Sequence, residues 1–361
     1  MSRAVRGAFA ILLSLCFLSS VKALDTSASS AILMDAESGR VLYEQNARER
    51  RYIASITKLM TALVAAESGH RLDETVTVLP EYVGAEGSSM YLEAGEKLML
   101  NTLLYGLLLS SGNDAALAVA DVCGGSVERF VDMMNRRAVL LGMDDTTFKN
   151  PSGLTEEGHQ STAADMAKLA AACMRNETVA AIVATRSVTL EGRTFTNHNK
   201  LLWRYEGCIG MKTGYTERSG RTLISCARRE GMTLIAVTLN DRNDWVDHTA
   251  MLDYGFKTYT RTQLTAAGEP IATLPVKGSL LPFVGVQAGD DTFYPLAKGE
   301  NLRREVTLIR PVAAPVRRGQ TAGVVTFYAG DRAVIDCPLV YDRAAGFDLV
   351  RRGRLRRLLG I

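Results

Sequence analysis

The chain has 361 residues, of which 47% are hydrophobic and 22% charged, a balance typical of a globular protein with more than one domain. Three of its 42 basic residues fall within the first 23 positions, so the remaining chain balances its 39 acidic residues. This balance excludes a generally basic protein that binds nucleic acid through its overall charge.

The first 23 residues have the pattern of a secretory signal peptide. Arg3 and Arg6 precede an apolar run over 8–18, and the segment Val21-Lys22-Ala23 has the small residues suited to cleavage after Ala23. A membrane-spanning helix needs about 20 apolar residues, which disfavours the alternative of an N-terminal anchor. We therefore expect the signal peptide to occupy 1–23 and the protein to act outside the cytoplasm.

The next region, 24–258, combines strands and helices. One hairpin is predicted from 31–34 and 40–43, and a second from 222–226 and 233–239. Apolar residues at helical spacing predict two helices, one carrying Leu59, Met60, Leu63 and Val64 and the other Leu103, Leu104, Leu107 and Leu108. Strands at both ends with helices between them predict an α/β (α+β) domain in which one antiparallel sheet is flanked by helices, with a helical subdomain inserted.

The composition changes after residue 258. Seven of the nine prolines lie beyond residue 269, and short segments such as 305–309 and 324–328 are separated by Gly and Pro. This pattern predicts a small β-rich domain over 265–345, with a boundary around 258–268.

Cysteines and histidines give no sign of a disulfide framework or a metal site. The cysteines beyond the signal peptide are Cys123, Cys173, Cys208, Cys226 and Cys337, and the histidines are His70, His159, His198 and His248. No two of these cysteines lie close in sequence, and no two histidines are spaced to share one helix face. We expect neither a metal nor a cofactor.

The first candidate for chemistry is Ser55-Ile56-Thr57-Lys58, at the start of the first apolar helix. A separation of three residues places the serine and the lysine on one helix face, and a lysine can activate a serine when burial or nearby positive charge lowers its pKa. The motif alone is weak, because Ser19-Ser20-Val21-Lys22 matches it equally well. The alternative is a helix cap followed by a solvated lysine.

The second candidate is Ser111-Gly112-Asn113, where the helix ending at Leu109 breaks before another begins at Asp114. A serine and an asparagine in such a turn can direct a hydroxyl and an amide into a cleft, for proton relay and for holding a carbonyl group. The alternative is an ordinary interhelical turn, since these residue types are common there.

The third candidate is Lys212-Thr213-Gly214, just before the 222–226 strand. A permanently charged lysine and a hydroxyl can bind a terminal carboxylate, and Gly214 has no side chain to block an extended peptide at a strand edge. The alternative is an exposed strand start.

The last sixteen residues, 346–361, contain five arginines interleaved with leucines and a valine. This pattern predicts a short basic amphipathic segment on an anionic membrane surface. Gly353 interrupts the apolar stripe, and the alternative is a solvated, disordered tail.

Taken together, the three motifs resemble those of the serine penicillin-recognising enzymes, most closely the low-molecular-mass penicillin-binding proteins that act as D-alanyl-D-alanine carboxypeptidases. The resemblance extends through the segments 87–92, 103–108, 150–154, 159–166 and 210–216. It implies a penicillin-binding/β-lactamase-like transpeptidase fold over 24–258, with a small C-terminal β domain over 265–345.

The resemblance also implies roles for the motif residues. Ser55 would form an acyl-enzyme with a peptidoglycan stem peptide that ends in D-Ala-D-Ala, and Lys58 would be its general base. Ser111 would pass a proton to the leaving D-alanine, and Asn113 would hold the substrate amide. The backbone N–H groups of Ser55 and of Tyr215 or Thr216 would bind the oxyanion.

In the same family Lys212 and Thr213 would bind the terminal carboxylate beside Gly214, and β-lactams would acylate the same serine. Some relatives add an arginine after the following strand. Arg242 is a candidate for that position, but its role is open on the sequence alone.

Two other functions remain as alternatives. A β-lactamase shares the Ser-Lys and Lys-Thr-Gly elements, although Gly112 stands where class A enzymes carry Asp and the β domain is additional. The other is a catalytically silent wall-binding protein, against which the presence of every motif residue argues. The sequence favours a carboxypeptidase on the outer face of the cytoplasmic membrane, and leaves open whether it also cuts cross-links as an endopeptidase.

Overall fold

The computed structural model of the protein describes residues 24–348. The strands of its first sheet are β1 (Ser30–Asp35), β2 (Val41–Gln45), β7 (Cys208–Thr216), β8 (Gly220–Arg229) and β9 (Met232–Leu239). These five strands are antiparallel and lie in the order β2-β1-β9-β8-β7. Both predicted hairpins are confirmed, since β1 pairs with β2 and β8 pairs with β9. The N-terminal and C-terminal segments therefore close one sheet, as expected, and β7 lies at its edge.

Helices cover both faces of this sheet. They are α1 (Lys58–Glu67), α2 (Leu100–Leu109), α3 (Asn113–Gly124), α4 (Val127–Leu140), α5 (Ala163–Arg175), α6 (Glu177–Ala184), α7 (Leu201–Arg204) and α8 (Asp244–Thr258). Two short ribbons lie among them, formed by β3 (Thr75–Thr77) with β4 (Lys97–Met99) and by β5 (Ser187–Leu190) with β6 (Arg193–Thr196). Helix α1 contacts α2, α3, α4, α5 and α6 and is therefore the centre of the helical layer.

The burial of α1 follows from its composition. Leu59, Met60 and Leu63 are fully buried, and every residue from 58 to 65 is buried, so the helix is apolar on all sides rather than on one stripe. Two polar residues are buried within this run. Thr61 donates to Pro151 O at 2.6 Å, and the burial of Lys58 likewise requires polar partners inside the protein.

The C-terminal region forms a second core. Its strands are β10 (Tyr259–Thr265), β11 (Pro270–Lys277), β12 (Phe283–Ala288), β13 (Thr292–Ala297), β14 (Arg303–Leu308), β15 (Val312–Ala313), β16 (Thr321–Ala329) and β17 (Arg332–Tyr341). Six of them form a sheet in the order β14-β16-β17-β12-β11-β15, while β10 and β13 form a separate ribbon. The ribbon side of this region contacts the first domain through a salt bridge between Arg40 and Glu300.

No helix within residues 24–348 is long and apolar enough to cross a membrane. The predicted signal peptide and the part of the basic tail beyond residue 348 lie outside the described residues.

Candidate active site

The three sequence motifs meet at one cleft between the edge strand β7 and the helical layer. The cleft has a volume of about 350 Å³, and its lining includes Ser55, Ser111, Thr213 and Gly214. One residue comes from the turn before α1, one from the α2–α3 turn and two from β7. Positions separated by more than 150 residues in sequence thus share one solvent-accessible site.

The Ser55 hydroxyl faces a buried lysine. A 3₁₀ turn over Ala54–Thr57 precedes α1, and Lys58 is the first residue of the helix. The Nζ atom of Lys58 donates hydrogen bonds to Ser55 Oγ at 3.0 Å, Asn113 Oδ1 at 2.6 Å and Ser152 O at 2.6 Å. Lys58 has 0% relative exposure, so the alternative of a solvated lysine is wrong.

The electrostatics of this lysine suit a base. Burial lowers the pKa of Lys58 well below its ordinary value, and the nearby charge of Lys212 lowers it further, while Asp114 opposes them. In the neutral amine, the two N–H groups serve Asn113 Oδ1 and Ser152 O, and the lone pair faces Ser55 Oγ at 3.0 Å, where it can accept the hydroxyl proton. The pair therefore has the contact and the direction of pKa shift that an activated serine requires.

The α2–α3 turn supplies two more side chains. Helix α2 ends at Leu109 as predicted, whereas α3 begins at Asn113, one residue earlier than expected. Ser111 has φ of +62°, a left-handed conformation that is uncommon for a residue other than glycine and is often found at functional sites. The amide of Asn113 is held at both ends, because Oδ1 accepts from Lys58 and Nδ2 donates to Glu86 O at 2.5 Å.

Asp114 organises the segment beside this turn, a function that the sequence motifs did not indicate. Its buried carboxylate accepts hydrogen bonds from the backbone N–H groups of Met90 and Leu92 and from Ser89 Oγ. The sequence signal that could have identified Asp114 is its position as an acidic residue in the first turn of a helix. Its contacts fix the 89–92 segment against the start of α3.

Lys212-Thr213-Gly214 lies inside β7 rather than at an exposed strand start. Lys212 is 1% exposed, and its Nζ donates to Ser111 Oγ at 3.1 Å and to Thr213 O at 2.9 Å. Burial lowers the pKa of Lys212 to about 7, so the charge of this lysine changes with pH near neutrality. The contact with Ser111 joins the second and third motifs directly.

Two glycines allow the close packing around Ser55. A Cβ atom on Gly214 would lie 2.9 Å from Ser55 N and 2.5 Å from Thr222 Oγ1. Gly153 has φ of +85°, and a Cβ atom there would lie 2.0 Å from Ala54 O. Strand β7 and the loop around Gly153 can therefore approach the serine turn only without side chains at these positions.

His159 orders this loop rather than reaching the cleft. Its Nδ1 accepts from the backbone N–H of Lys149 at 3.1 Å, which leaves the proton on Nε2 to be donated to Thr57 Oγ1 at 2.9 Å. Burial lowers the pKa of His159 to about 4, so the ring is neutral. Asp165 similarly accepts from Asp145 N and Thr146 Oγ1.

The comparisons with known proteins agree with this geometry. A family model described as D-alanyl-D-alanine carboxypeptidase matches residues 18–243, and one for the C-terminal domain of penicillin-binding protein 5 matches residues 259–346. The chain is 33% identical over 353 residues to D-alanyl-D-alanine carboxypeptidase DacF of Bacillus subtilis, covering 92% of this chain and 89% of the relative. It is 32% identical to D-alanyl-D-alanine carboxypeptidase DacC of Escherichia coli, covering 89% and 84% respectively.

The solved structures confirm the predicted fold class. Penicillin-binding protein 5 from Haemophilus influenzae superposes with a TM-score of 0.78 at 28% identity, covering 89% of this chain and 98% of that chain. PBP3 from Streptococcus pneumoniae, described as a peptidoglycan synthesis regulatory factor, superposes with a TM-score of 0.79 at 25% identity, covering 89% of this chain and 100% of that chain. With the family model matching more than half of its residues, the chain belongs to the D-alanyl-D-alanine carboxypeptidase family of low-molecular-mass penicillin-binding proteins.

Proposed function

We propose that the protein is a serine-type D-Ala-D-Ala carboxypeptidase that removes the terminal D-alanine from peptidoglycan stem pentapeptides and is acylated by β-lactams. The observation that carries the proposal is the buried Lys58 amine in hydrogen-bond contact with Ser55 Oγ. A hydroxyl beside a desolvated amine is the arrangement that turns a weak nucleophile into one able to attack an amide carbonyl.

In the acylation step, neutral Lys58 accepts the proton of Ser55 as Oγ attacks the carbonyl between the two D-alanines. The negative charge that develops on the carbonyl oxygen is stabilised by the backbone N–H groups of Ser55 and Tyr215, since the N–H of Thr216 donates to Ser219 Oγ at 3.0 Å. The absence of a side chain on Gly214 keeps β7 close to Ser55 N, as this oxyanion site requires.

The departing D-alanine needs a proton on its nitrogen. Ser111 Oγ accepts a hydrogen bond from Lys212 Nζ, so Ser111 can give its hydroxyl proton to the leaving amine and take a replacement proton from the Lys212 ammonium. Asn113 holds the substrate amide beside Lys58, and Lys212 with Thr213 binds the terminal carboxylate. Water then hydrolyses the Ser55 ester and releases the shortened peptide.

Mass spectrometry tests this function directly. Residues 24–361 are incubated with a peptide ending in D-Ala-D-Ala and, separately, with benzylpenicillin, and the adduct is located by peptide mapping. We expect loss of one D-alanine and a stable penicilloyl group on Ser55. Rapid penicillin turnover without D-alanine release would identify a β-lactamase instead, and the absence of both signals would favour a silent binding protein.

The proposed location is the outer face of the cytoplasmic membrane, with peripheral contact through the basic tail. Near the start of the tail, Asp348 N donates to Gly278 O, in the turn between β11 and β12. Leu280 and Phe283 beside this turn are 68% and 54% exposed. The turn lies at the opposite end of β12 from the β10–β13 ribbon, which supports a membrane contact distant from the catalytic domain.

Vesicle sedimentation tests the membrane contact. Residues 24–361 are expected to sediment with vesicles containing anionic lipid and not with zwitterionic ones. Replacing the five tail arginines with serine removes about 1 kcal/mol of attraction for each charge and should leave the protein in the supernatant. Equal binding of both proteins to anionic vesicles would contradict the assignment to the tail, and retained carboxypeptidase activity of the variant would show that it is folded.

A further inference from the structure

Tyr91 lies at the rim of the cleft. Its side chain is 81% exposed, more than that of any other large hydrophobic residue in the described part of the chain. The preceding residue, Met90, packs against the second motif, since a Cβ atom on Gly112 would lie 3.2 Å from Met90 N. Ser88 lines the cleft, and its carbonyl oxygen accepts a hydrogen bond from Asn113 N at 2.7 Å. Tyr91 therefore belongs to a segment that borders the cleft beside the second motif.

The backbone of Tyr91 has an unfavourable conformation. Its φ is +59°, in the left-handed region, where a side chain as bulky as tyrosine is rare. Such a conformation costs free energy and persists only where the surrounding structure holds it. A buried ring could offset this cost by packing, but the ring of Tyr91 is exposed. The side chain of Tyr91 therefore contributes little to the stability of its own conformation.

Two charged side chains hold the backbone on either side of this ring. From α3, the buried carboxylate of Asp114 accepts hydrogen bonds from the backbone N–H groups of the residues before and after Tyr91. From β6, Arg193 donates to Met90 O at 2.7 Å and to Tyr91 O at 3.2 Å. Glu96 orients the guanidinium of Arg193, accepting from its Nε at 3.0 Å and its Nη2 at 2.7 Å. The direction in which the ring leaves the chain is thus fixed before any substrate binds.

The position of Tyr91 limits which part of a substrate it can contact. The side chains that would receive the last two D-alanines are buried, with relative exposures of 4% or less for Lys58, Ser111, Asn113 and Lys212. The terminal D-alanine has only a methyl group and a carboxylate, so it has no part that extends to the rim. The part that extends out of the cleft is the acyl portion, which precedes D-Ala-D-Ala. A ring whose backbone is already fixed loses little conformational freedom when it binds such a chain.

We propose that Tyr91 is a specificity-determining residue whose ring packs against the aliphatic side chain of the stem-peptide residue that precedes D-Ala-D-Ala. This inference rests on the proposed carboxypeptidase function and identifies which part of the substrate is recognised outside the cleft. The contacts of Asp114 and Arg193 present the ring at the rim. The ring supplies apolar surface that the buried polar groups inside the cleft do not offer.

The test compares two substrates that differ in one side chain. N-acetyl-Gly-D-Ala-D-Ala has no side chain before the dipeptide, whereas diacetyl-L-Lys-D-Ala-D-Ala has a long aliphatic chain whose acetylated amine is uncharged. Tyr91→Ala is expected to lower kcat/KM for the lysyl peptide on the order of 10-fold, the loss expected when about two methylene groups are no longer shielded from water. The rate for the glycyl peptide should stay within about 2-fold, and Tyr91→Phe should keep the wild-type preference because it keeps the ring.

A stability measurement separates substrate recognition from a structural function. Glycine adopts a φ of +59° without strain, so Tyr91→Gly removes the ring and relieves the backbone together. Its denaturant midpoint should be at least as high as that of Tyr91→Ala, which keeps the strain, while the preference for the lysyl peptide is lost in both. Leu140→Ala truncates a 76% exposed side chain at the end of α4, and as the matched control it should leave both rates unchanged.

The failure of this inference is distinct from failure of the proposed function. If the wild-type protein releases no D-alanine from either peptide, the carboxypeptidase proposal is wrong and the inference fails with it. If the wild type is active but Tyr91→Ala lowers both rates equally, or lowers neither, Tyr91 does not recognise the residue before the dipeptide. Equal loss of both rates together with a lower denaturant midpoint in every Tyr91 variant would assign it a structural function.

Discussion

Replacing Ser55 with alanine or Lys58 with methionine is expected to lower the rate of D-alanine release on the order of 10⁶-fold, the scale seen when a nucleophile or its base is removed from a catalytic unit. Ser55→Ala removes the atom that is acylated. Lys58→Met keeps a side chain of similar length but removes the amine that lies 3.0 Å from Ser55 Oγ. The measurement is steady-state release of D-alanine, with benzylpenicillin labelling followed by mass spectrometry.

A double variant tests whether Ser55 and Lys58 act as one catalytic unit or contribute independently to the rate. Because both residues act in one proton transfer, we expect Ser55→Ala with Lys58→Met to be no slower than either single variant. Lys168→Ala, which removes a partly exposed lysine outside the cleft, is the control for a general loss of positive charge. Penicillin labelling of Lys58→Met at the wild-type rate would show that another group activates Ser55.

The second large effect is on acid stability and comes from His248. This buried ring contacts Ser225 Oγ at 2.6 Å and Thr238 Oγ1 at 3.0 Å, and burial lowers its pKa to about 3. Between pH 6.5 and 3 the unfolded state therefore binds a proton that the folded state does not, so the free energy of unfolding falls as the pH falls. By pH 4 the loss from His248 alone is about 3 kcal/mol.

Denaturant unfolding at several pH values measures this effect. His248→Gln should flatten the dependence between pH 6.5 and 4 relative to the wild type, although it lowers the stability at neutral pH. Ser225→Ala keeps the imidazole and should lower the stability while retaining the wild-type slope. An unchanged slope in His248→Gln would show that His248 does not carry the acid sensitivity, and His159→Gln would then test the other buried ring, whose pKa is lowered to about 4.

Local pattern was enough to predict several elements. The turn residues after β1 and the alternation of apolar and polar residues around them predicted the β1–β2 hairpin, because the pairing of adjacent strands is decided within about 15 residues. The apolar run after Lys58 placed α1, and Leu109 marked the end of α2. The order of the three motifs and the segments around them were sufficient to identify the family, because each motif combines specific residue types with a specific element.

Tertiary structure decided what those residues can do. The sequence allowed a solvated Lys58 and a permanently charged Lys212. It could not indicate that the backbone oxygen of Ser152, 94 residues from Lys58, accepts a hydrogen bond from Lys58, or that Ser111 accepts one from Lys212. For an arginine near the substrate carboxylate the sequence suggested Arg242, whereas the fold places Arg221 of β8 in the lining of the cleft. Burial, pKa and the distance between charges depend on which segments the sheet and helices bring together, and those contacts join residues that no local pattern relates.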